Sequence, residues 1–324
     1  MRWSFSSYRQ FNVCKRQWFY HHKMANANAT KDPERKEAAV LRQLQSLNAW
    51  RGSMVDYIIG QEVIPYLRQG IWPQYKPIVA VMKRLFQEQY AFAEAQQYRK
   101  PGVTKSKAGD QFLALYDLEY APEKITREAL NQAYLEAIQA LKNLLANQRF
   151  LEYLRSADQL ITQRQDIQIK YNKHFTITAI PDLIVFSAHP FRVHIVDWKV
   201  HSKAARTYEE QLFLYAWVLK KCTRPHDFPA ALEQLPITDI QLTEYQLLKN
   251  EMREYHITLE DVANIERNIG LSVTEMMQAE AHLKYTQLHP DRFPVNRSDA
   301  NCSWCRFRKI CEQPHPSQPQ TSLF

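Results

Sequence analysis

Phe175-Thr-Ile-Thr-Ala-Ile-Pro-Asp-Leu-Ile-Val-Phe186 is followed, after a short turn, by Arg192-Val-His-Ile-Val-Asp-Trp-Lys-Val200. Both stretches are rich in β-branched residues and read as strands. Segment 187–191 between them holds a proline and suits the connecting turn. Folded as an antiparallel hairpin about His189, the strands set Asp182 roughly opposite Asp197. Side chains two apart on a strand share a face, so Asp197 and Lys199 point one way and Trp198 into the other layer. Two carboxylates held this close repel each other, and a divalent cation, which takes hard oxygen ligands, relieves the repulsion. Such an ion would polarise a phosphodiester and activate a water, with Lys199 stabilising the developing charge or orienting that water. The bland alternative is a hairpin whose acids and lysine form an ion pair and nothing more.

The segment after the hairpin, 204–221, reads as a helix. Its Gln211 and Tyr215 stand four apart, on one face, and both can hydrogen-bond a phosphate or a base edge. Leu212, Ala216 and Leu219 form its buried stripe. Residues 239–258 alternate well enough for one more strand or a hairpin, and 259–281 read as a further helix. Upstream the chain is helical. Asp32-Pro33 suits an N-cap followed by proline at the first helical position. Helices are expected over 50–68, 77–98 and, in two pieces, 125–156. The basic stretch Arg99-Lys-Pro-Gly-Val-Thr-Lys-Ser-Lys-Ala-Gly109 reads as a loop, either solvated or a flexible arm that contacts phosphates. Helices, a hairpin, a helix and another strand give a mixed α/β core. The helix-rich region before residue 160 is either a lid on that core or a semi-independent lobe.

Composition narrows the function. A length of 324 residues allows one large domain or two smaller ones. No apolar run is long enough to span a bilayer, and the Met1-Arg2-Trp3-Ser4 opening lacks the apolar stretch of a secretory signal, so a cytoplasmic location is expected. The formal charge of +8 favours an anionic partner, nucleic acid first. The six glycines assemble neither a phosphate-binding loop nor a dinucleotide fingerprint. The chain therefore carries no recognisable ATP motor, and helicase action would have to come from a partner.

Five cysteines in a chain expected inside the cell argue for metal ligation rather than disulfides. Cys302-Ser-Trp-Cys305-Arg-Phe-Arg-Lys-Ile-Cys311 is a compact triplet, and a structural metal site needs a fourth ligand from elsewhere. Cys14 and Cys222 are the candidates, and Cys222 better suits a buried structural thiol. Aromatic and basic residues flank the cysteines. Trp18 and Phe307 are expected to pack around the centre. Arg306 and Arg308 suit either packing or contact with single-stranded DNA.

Pro181-Asp182, Asp197-Trp198-Lys199 and Gln211-Leu-Phe-Leu-Tyr215 occur in the order and approximate spacing of the PD-(D/E)xK nuclease superfamily, and the chain resembles its RecB-like exonucleases. That resemblance implies a restriction-endonuclease-like α/β fold, a mixed β-sheet core flanked by helices, with a helix-rich N-terminal region. It implies catalysis by Asp182, Asp197 and Lys199 with Mg²⁺ or Mn²⁺, and substrate contacts from Gln211 and Tyr215. The family carries Gly-x-x-x-His on an upstream helix, its His an extra metal ligand. Here Arg51-Gly52-Ser-Met-Val-Asp56 puts Asp56 in that place. An aspartate can ligate the same ions through oxygen, or it can weaken the site. That departure motivates the alternative of a catalytically weak or inactive nuclease-fold DNA-binding or adaptor protein. Ala179 also stands where the family often has glycine.

Cys14-Lys-Arg-Gln-Trp-Phe-Tyr resembles the N-terminal cysteine motif of RecB-like nucleases with an iron–sulphur cluster, including AddB-type subunits and CRISPR-associated exonucleases. The resemblance implies that Cys14 joins Cys302, Cys305 and Cys311 around a [4Fe–4S] cluster, which would staple the two ends of a long loop. Zinc on the same ligands is the alternative. The expected organisation is a cluster-binding segment (1–30), a helical region (31–160), the nuclease core (161–290), the cysteine motif (291–313) and a disordered tail (314–324). The expected partner is DNA, single-stranded or with free ends, together with a helicase or CRISPR-type protein, and no membrane.

Overall fold

The computed structural model describes residues 2–29, 31–163, 167–201, 208–280, 283 and 287–311. The helices in chain order begin with α1 (Phe5–Val13), α2 (Lys15–Phe19), α3 (Pro33–Leu41), α4 (Leu47–Ile58), α5 (Ile64–Arg68), α6 (Tyr75–Glu94) and α7 (Lys105–Ala108). They continue with α8 (Tyr116–Tyr120), α9 (Arg127–Ala146), α10 (Gln148–Arg155), α11 (Glu209–Lys221), α12 (Leu259–Glu280), α13 (Asp299–Cys302) and α14 (Arg308–Cys311). The strands are β1 (Arg2–Trp3), β2 (Gln159–Thr162), β3 (Gln168–Lys170), β4 (Thr176–Thr178), β5 (Leu183–Ala188), β6 (Phe191–Lys199), β7 (Gln241–Gln246) and β8 (Glu251–Tyr255). The expected start of a helix at 204 and the expected disordered tail lie outside the described residues.

The strands form a five-stranded sheet in the order β2-β5-β6-β7-β8 and a small sheet in the order β1-β4-β3. The expected hairpin is β5–β6, antiparallel from Leu183↔Val196 to Ala188↔Phe191 with the turn at His189-Pro190. Continued by one residue, that register sets Asp182 opposite Asp197. The stretch expected as one strand, 175–186, divides in two. Pro181 has no N–H for a ladder, so the chain leaves the small sheet after β4 and enters the large one at β5. Asp182 stands at that crossing. β6 then pairs in parallel with β7, and β7 with β8 as a hairpin. The chain thus has the expected mixed α/β, restriction-endonuclease-like architecture.

The chain divides into two compact units, one of residues 1–5 and 45–275, the other of residues 6–44 and 276–324. In the first, one face of the large sheet carries Leu160, Leu183, Val185, Val196, Trp198 and Tyr245 into a core shared with α4, α5, α6, α9 and α10. The other face receives α11, which also touches the small sheet through β3. A helix between two sheets has no solvent face, and every side chain from Leu212 to Leu219 is buried. The stripe expected at Leu212, Ala216 and Leu219 is therefore part of a helix buried on all sides. The helix expected over 50–68 is interrupted by a π-helical turn at Ile59–Val63. Pro65, which clashes with the carbonyl four residues back, is accommodated by that wider turn. Ser46, Thr126 and Asn147 cap α4, α9 and α10 by accepting from backbone N–H groups.

In the second unit Asp32 caps α3 as expected, accepting from Arg35 N. Phe11, Trp18, Phe19, Tyr20, Phe293 and Phe307 are fully buried there, with Phe19 and Phe293 stacked at 4.6 Å between ring centroids. Buried Arg16 donates from Nε to Phe293 O at 2.8 Å and from Nη2 to Asp291 Oδ1 at 3.0 Å. Lys23 pairs with Glu280 at 2.7 Å. Aromatic packing and these ion pairs join the N- and C-terminal segments of the unit.

His194, buried within β6, bonds Thr243 Oγ1 through Nε2 at 2.7 Å and Tyr153 Oη through Nδ1 at 3.1 Å. Burial pushes its pKa down to about 4, so the ring is neutral in the fold, whereas an unfolded histidine titrates near 6.5. Stability is unaffected by this group above pH 6.5 and falls between 6.5 and 4, because only the unfolded chain takes up the proton. Denaturant unfolding of His194→Gln and the parent at pH 7 and pH 5 should show the difference between them shifting by roughly 2 kcal/mol in the variant's favour at the lower pH.

Candidate active site

The site forms where β5 begins and β6 ends. Because Pro181 delays the entry into β5, the Asp182 side chain, rather than a neighbouring backbone carbonyl, takes a strand N–H: Oδ2 accepts from Trp198 N at 3.0 Å. Asp197, 1 % exposed, sits beside it, with its carboxyl in hydrogen-bonding reach of Asp182. Lys199, two residues along the same face, pairs through Nζ with Asp197 Oδ2. From α11, Gln211 Nε2 donates to Asp197 Oδ1 at 3.3 Å and to Tyr215 Oη, while Lys199 Nζ donates to Gln211 Oε1 at 3.5 Å. The helical spacing of Gln211 and Tyr215 thus brings both side chains to the acid pair.

Asp56 arrives from the last turn of α4. Its Oδ1 accepts from Trp198 Nε1 at 3.0 Å and its Oδ2 from Gln163 Nε2. Trp198 points into the helical layer as expected, yet its indole N–H returns to the site from that side. Arg51, one turn before Asp56, is 4 % exposed. It pairs through Nη1 with Glu136 of α9 and donates from Nη2 to Val200 O at 2.7 Å, which fixes the backbone just beyond Lys199.

The electrostatics follow from three acids sharing one cation. Burial, then the charges of Asp197 and Asp56, raise the Asp182 carboxyl well above its usual range. Burial also raises Asp197, with Lys199 pulling the other way and Glu244 adding to the rise. Burial raises Asp56 against the hydrogen bond from Trp198. For Lys199, burial alone would lower the pKa, but Asp197 and Asp182 outweigh it and hold the ammonium charged. Burial and the same acids raise Tyr215 well above the usual phenol value, so it stays neutral. The carboxylates outnumber the one ammonium, a deficit of positive charge that a divalent cation would reduce, and oxygen donors suit Mg²⁺ or Mn²⁺. The carboxylate oxygens of Asp182 and Asp197 suit such an ion in kind, although both Asp197 oxygens face donors, Gln211 and Lys199, as both Asp56 oxygens do. No three His, Cys, Asp or Glu side chains among the described residues stand close enough together to hold a single ion.

Several participants had no signal in the sequence. Gln163 and Trp198 hold Asp56, and Arg51 and Glu136 hold the strand end. Glu244 is fully buried, in register with Asp197 across β6–β7. Tyr208 carries its ring beneath Lys199 Nζ, 4.2 Å from the centroid. Each is an ordinary residue of a strand, loop or helix until strand pairing brings it to the acids.

In the second unit, Cys14 stands just before α2 without a side-chain capping bond, Cys302 ends α13, Cys305 lies between α13 and α14, and Cys311 ends α14. Burial pushes the Cys305 thiol up to about 11, and the proximity of Cys14, Cys311 and Cys302 adds to the rise. Cys14, Cys302 and Cys311 therefore each lie within electrostatic reach of Cys305. Cys222 is half-buried, with its Sγ 3.3 Å from Leu219 O. Trp18 and Phe307 are packed inside, as expected, whereas Trp304 is 61 % exposed. Arg306 and Arg308 donate to the backbone oxygens of Arg42 and Ser303.

An α/β sheet that gathers acids and one lysine at the ends of neighbouring central strands, under a helix bearing glutamine and tyrosine, defines a nuclease of the restriction-endonuclease-like class. The chain belongs to the PD-(D/E)XK nuclease superfamily, whose profile matches residues 80–312. The match includes Asp182, Asp197, Lys199 and the C-terminal cysteines, while Asp56 and Cys14 lie before it. A search of curated proteins found no match. No helix among the described residues is long and apolar enough to cross a membrane.

Replacing Arg51 by Met leaves Glu136 Oε2 without its buried partner, Oε1 still accepting from Gln132, and frees the Val200 carbonyl. Equilibrium unfolding should show a loss of about 3 kcal/mol, the usual cost of breaking a buried pair from one side.

Proposed function

We propose that this chain is a Mg²⁺- or Mn²⁺-dependent deoxyribonuclease, an exonuclease of RecB-like type acting in DNA repair or recombination, with a structural [4Fe–4S] cluster. The observation that carries the catalytic part is the meeting of Asp182, Asp197 and Lys199 at one strand end, with Gln211 beside them. Asp182 and Asp197 would hold the ion, and Asp56 would have to leave Trp198 and Gln163 and move closer to join them as a third carboxylate; when bound, the ion would activate water and polarise the phosphodiester. Lys199 would stabilise the charge that develops on the phosphate oxygens. Gln211 and the neutral Tyr215 would orient the phosphate, and Tyr215 at 8 % exposure would do so from the floor of the site. DNA entering from a free end, single-stranded or frayed, suits a net charge of +8. Unwinding of a duplex would fall to a helicase or CRISPR-type partner. Cys14, Cys302, Cys305 and Cys311 are the proposed cluster ligands, supported by the reach of Cys14, Cys302 and Cys311 to the Cys305 thiol, with zinc on the same ligands as the alternative.

A second possibility is a nuclease-fold DNA-binding or adaptor protein of weak or no activity. The engagement of both Asp56 oxygens by Trp198 and Gln163 favours it. Assays on single-stranded and duplex DNA with Mn²⁺ or EDTA separate the two. Metal-dependent degradation selects the enzyme, and tight binding without cleavage selects the adaptor.

For the enzyme, Asp182→Ala, Asp197→Ala and Lys199→Ala should each lower the cleavage rate by at least about 100-fold while circular dichroism stays unchanged. Parental activity in folded Asp197→Ala protein would refute the assignment. For the cysteines, anaerobically purified protein should contain iron and labile sulphide, and Cys302→Ser should lose both along with thermal stability. Zinc at one equivalent with no iron would replace the cluster by the alternative.

A further inference from the structure

Residues 95–109 carry Arg99, Lys100, Lys105 and Lys107 and no acid. The fold ties this stretch down at both ends. Arg99 donates from Nε and Nη2 to the Glu119 carboxylate of α8 at 2.8 and 2.7 Å, and Tyr98 Oη donates to the same group at 3.1 Å. At the other end Asp110 Oδ2 accepts from Tyr57 Oη at 2.6 Å, and Asp110 O accepts from Gln89 Nε2 at 2.7 Å. Gln89 is itself fixed by the indole N–H of Trp50. Between these clasps the chain turns at Gly102, with φ at +80°, and forms α7, capped by Thr104. The stretch expected as a loop or flexible arm is therefore a tethered loop. Arg99 is neutralised by Glu119. Lys100, Lys105 and Lys107 are exposed, and none of them has an acidic partner among the described residues.

The second clasp joins the loop to the helix that carries Asp56. From Arg51 to Ile58, only Gly52, Ser53, Asp56 and Tyr57 of α4 are not buried. Their spacing places all four on one face. From that face Asp56 reaches Trp198 and Gln163 beside the acids, and Tyr57, the next residue, reaches the loop. Lys107 precedes Asp110 by three residues, a span of at most about 10 Å of chain. Gly52 keeps the face open: a Cβ there would meet no heavy atom within 4 Å beyond the backbone of its own helix. One open face of α4 thus links the site acids to three ammoniums.

Cations gathered on a short loop repel one another, and a loop tied at both ends cannot spread them apart, so an anion at its surface is favoured. The polyanion on which the site would act meets that demand. We propose that loop 99–110 is a phosphate rail for single-stranded DNA. Lys100, Lys105 and Lys107 neutralise backbone phosphates of the strand that enters the site, and the Tyr57–Asp110 clasp holds the rail beside Asp56. This deepens the nuclease reading above and rests on it for the ligand. Contacts of this kind position the strand and carry no sequence preference.

The test is binding of a fluorescein-labelled oligothymidylate of about 20 nucleotides to the intact chain in EDTA, read by anisotropy across a series of KCl concentrations. Each phosphate contact on a single strand contributes about 0.7 to the salt slope, so Lys105→Gln with Lys107→Gln should lower the slope by about 1.4 and weaken binding at least about tenfold at 0.1 M salt. Lys105→Glu with Lys107→Glu should weaken it further. The control pair, Lys142→Gln with Lys249→Gln, removes as many exposed lysines from α9 and the β7–β8 turn and should change binding by less than about twofold. With Mn²⁺ present, the Lys105 and Lys107 pair should raise KM for the same oligomer by a factor like its loss of binding. Parental binding by that pair overturns the inference, as does an equal loss from the control pair or an unchanged KM. All three leave the nuclease reading standing. Parent protein that binds the oligomer without cutting it removes the nuclease reading, and the comparison in EDTA then decides the rail alone. Parent protein that binds no DNA overturns both.

Discussion

The repulsion between Asp182 and Asp197 is the constraint around which the site is built. Two carboxyls in contact, one of them almost wholly removed from water, would drive the strand end apart if nothing offset their charge. The offset is local and layered. Lys199 supplies a formal charge from the same strand, Gln211 and the Trp198 N–H supply dipoles, and Asp182 keeps a raised pKa that favours a proton in the metal-free state. Such a site is poised toward a cation, because every offset falls short of the charge the acids would carry together.

That poise depends on how α11 is buried. A helix exposed on one side could tilt or fray, and Gln211 would lose its bond to Asp197. With the large sheet on one side and the small sheet on the other, α11 buries every side chain from Leu212 to Leu219. Its polar first turn is left at the strand ends, which sets Gln211 and Tyr208 beside Lys199. Arg51 does the same for the far side of the strand by binding the Val200 carbonyl. Packing energy thus becomes precision at the acids: the side chains that meet them are carried on elements with little freedom to move.

The second unit follows a different plan. Aromatic stacking, the buried Arg16 and the Lys23–Glu280 pair join segments far apart in sequence, and the same folding brings Cys14, Cys302 and Cys311 within electrostatic reach of Cys305.

The residues that needed only local rules were legible from the sequence alone. Strand periodicity put Asp197 and Lys199 on one face, a single turn set Asp182 opposite Asp197, and helical spacing paired Gln211 with Tyr215. Caps and helix ends followed from the same short-range chemistry, as at Asp32. Two departures came from proline, whose missing N–H split the expected strand at Pro181 and whose ring widened the expected helix ahead of Pro65. Tertiary structure alone decided which partners reach the acids from a distance. Gln163, Glu244 and Arg51 lie on separate elements, and nothing within a window of sequence links them to Asp56, Asp197 or Val200. Strand order and layer packing make those pairings. They depend on which faces bury most apolar surface together, a property of the whole chain that no single segment carries.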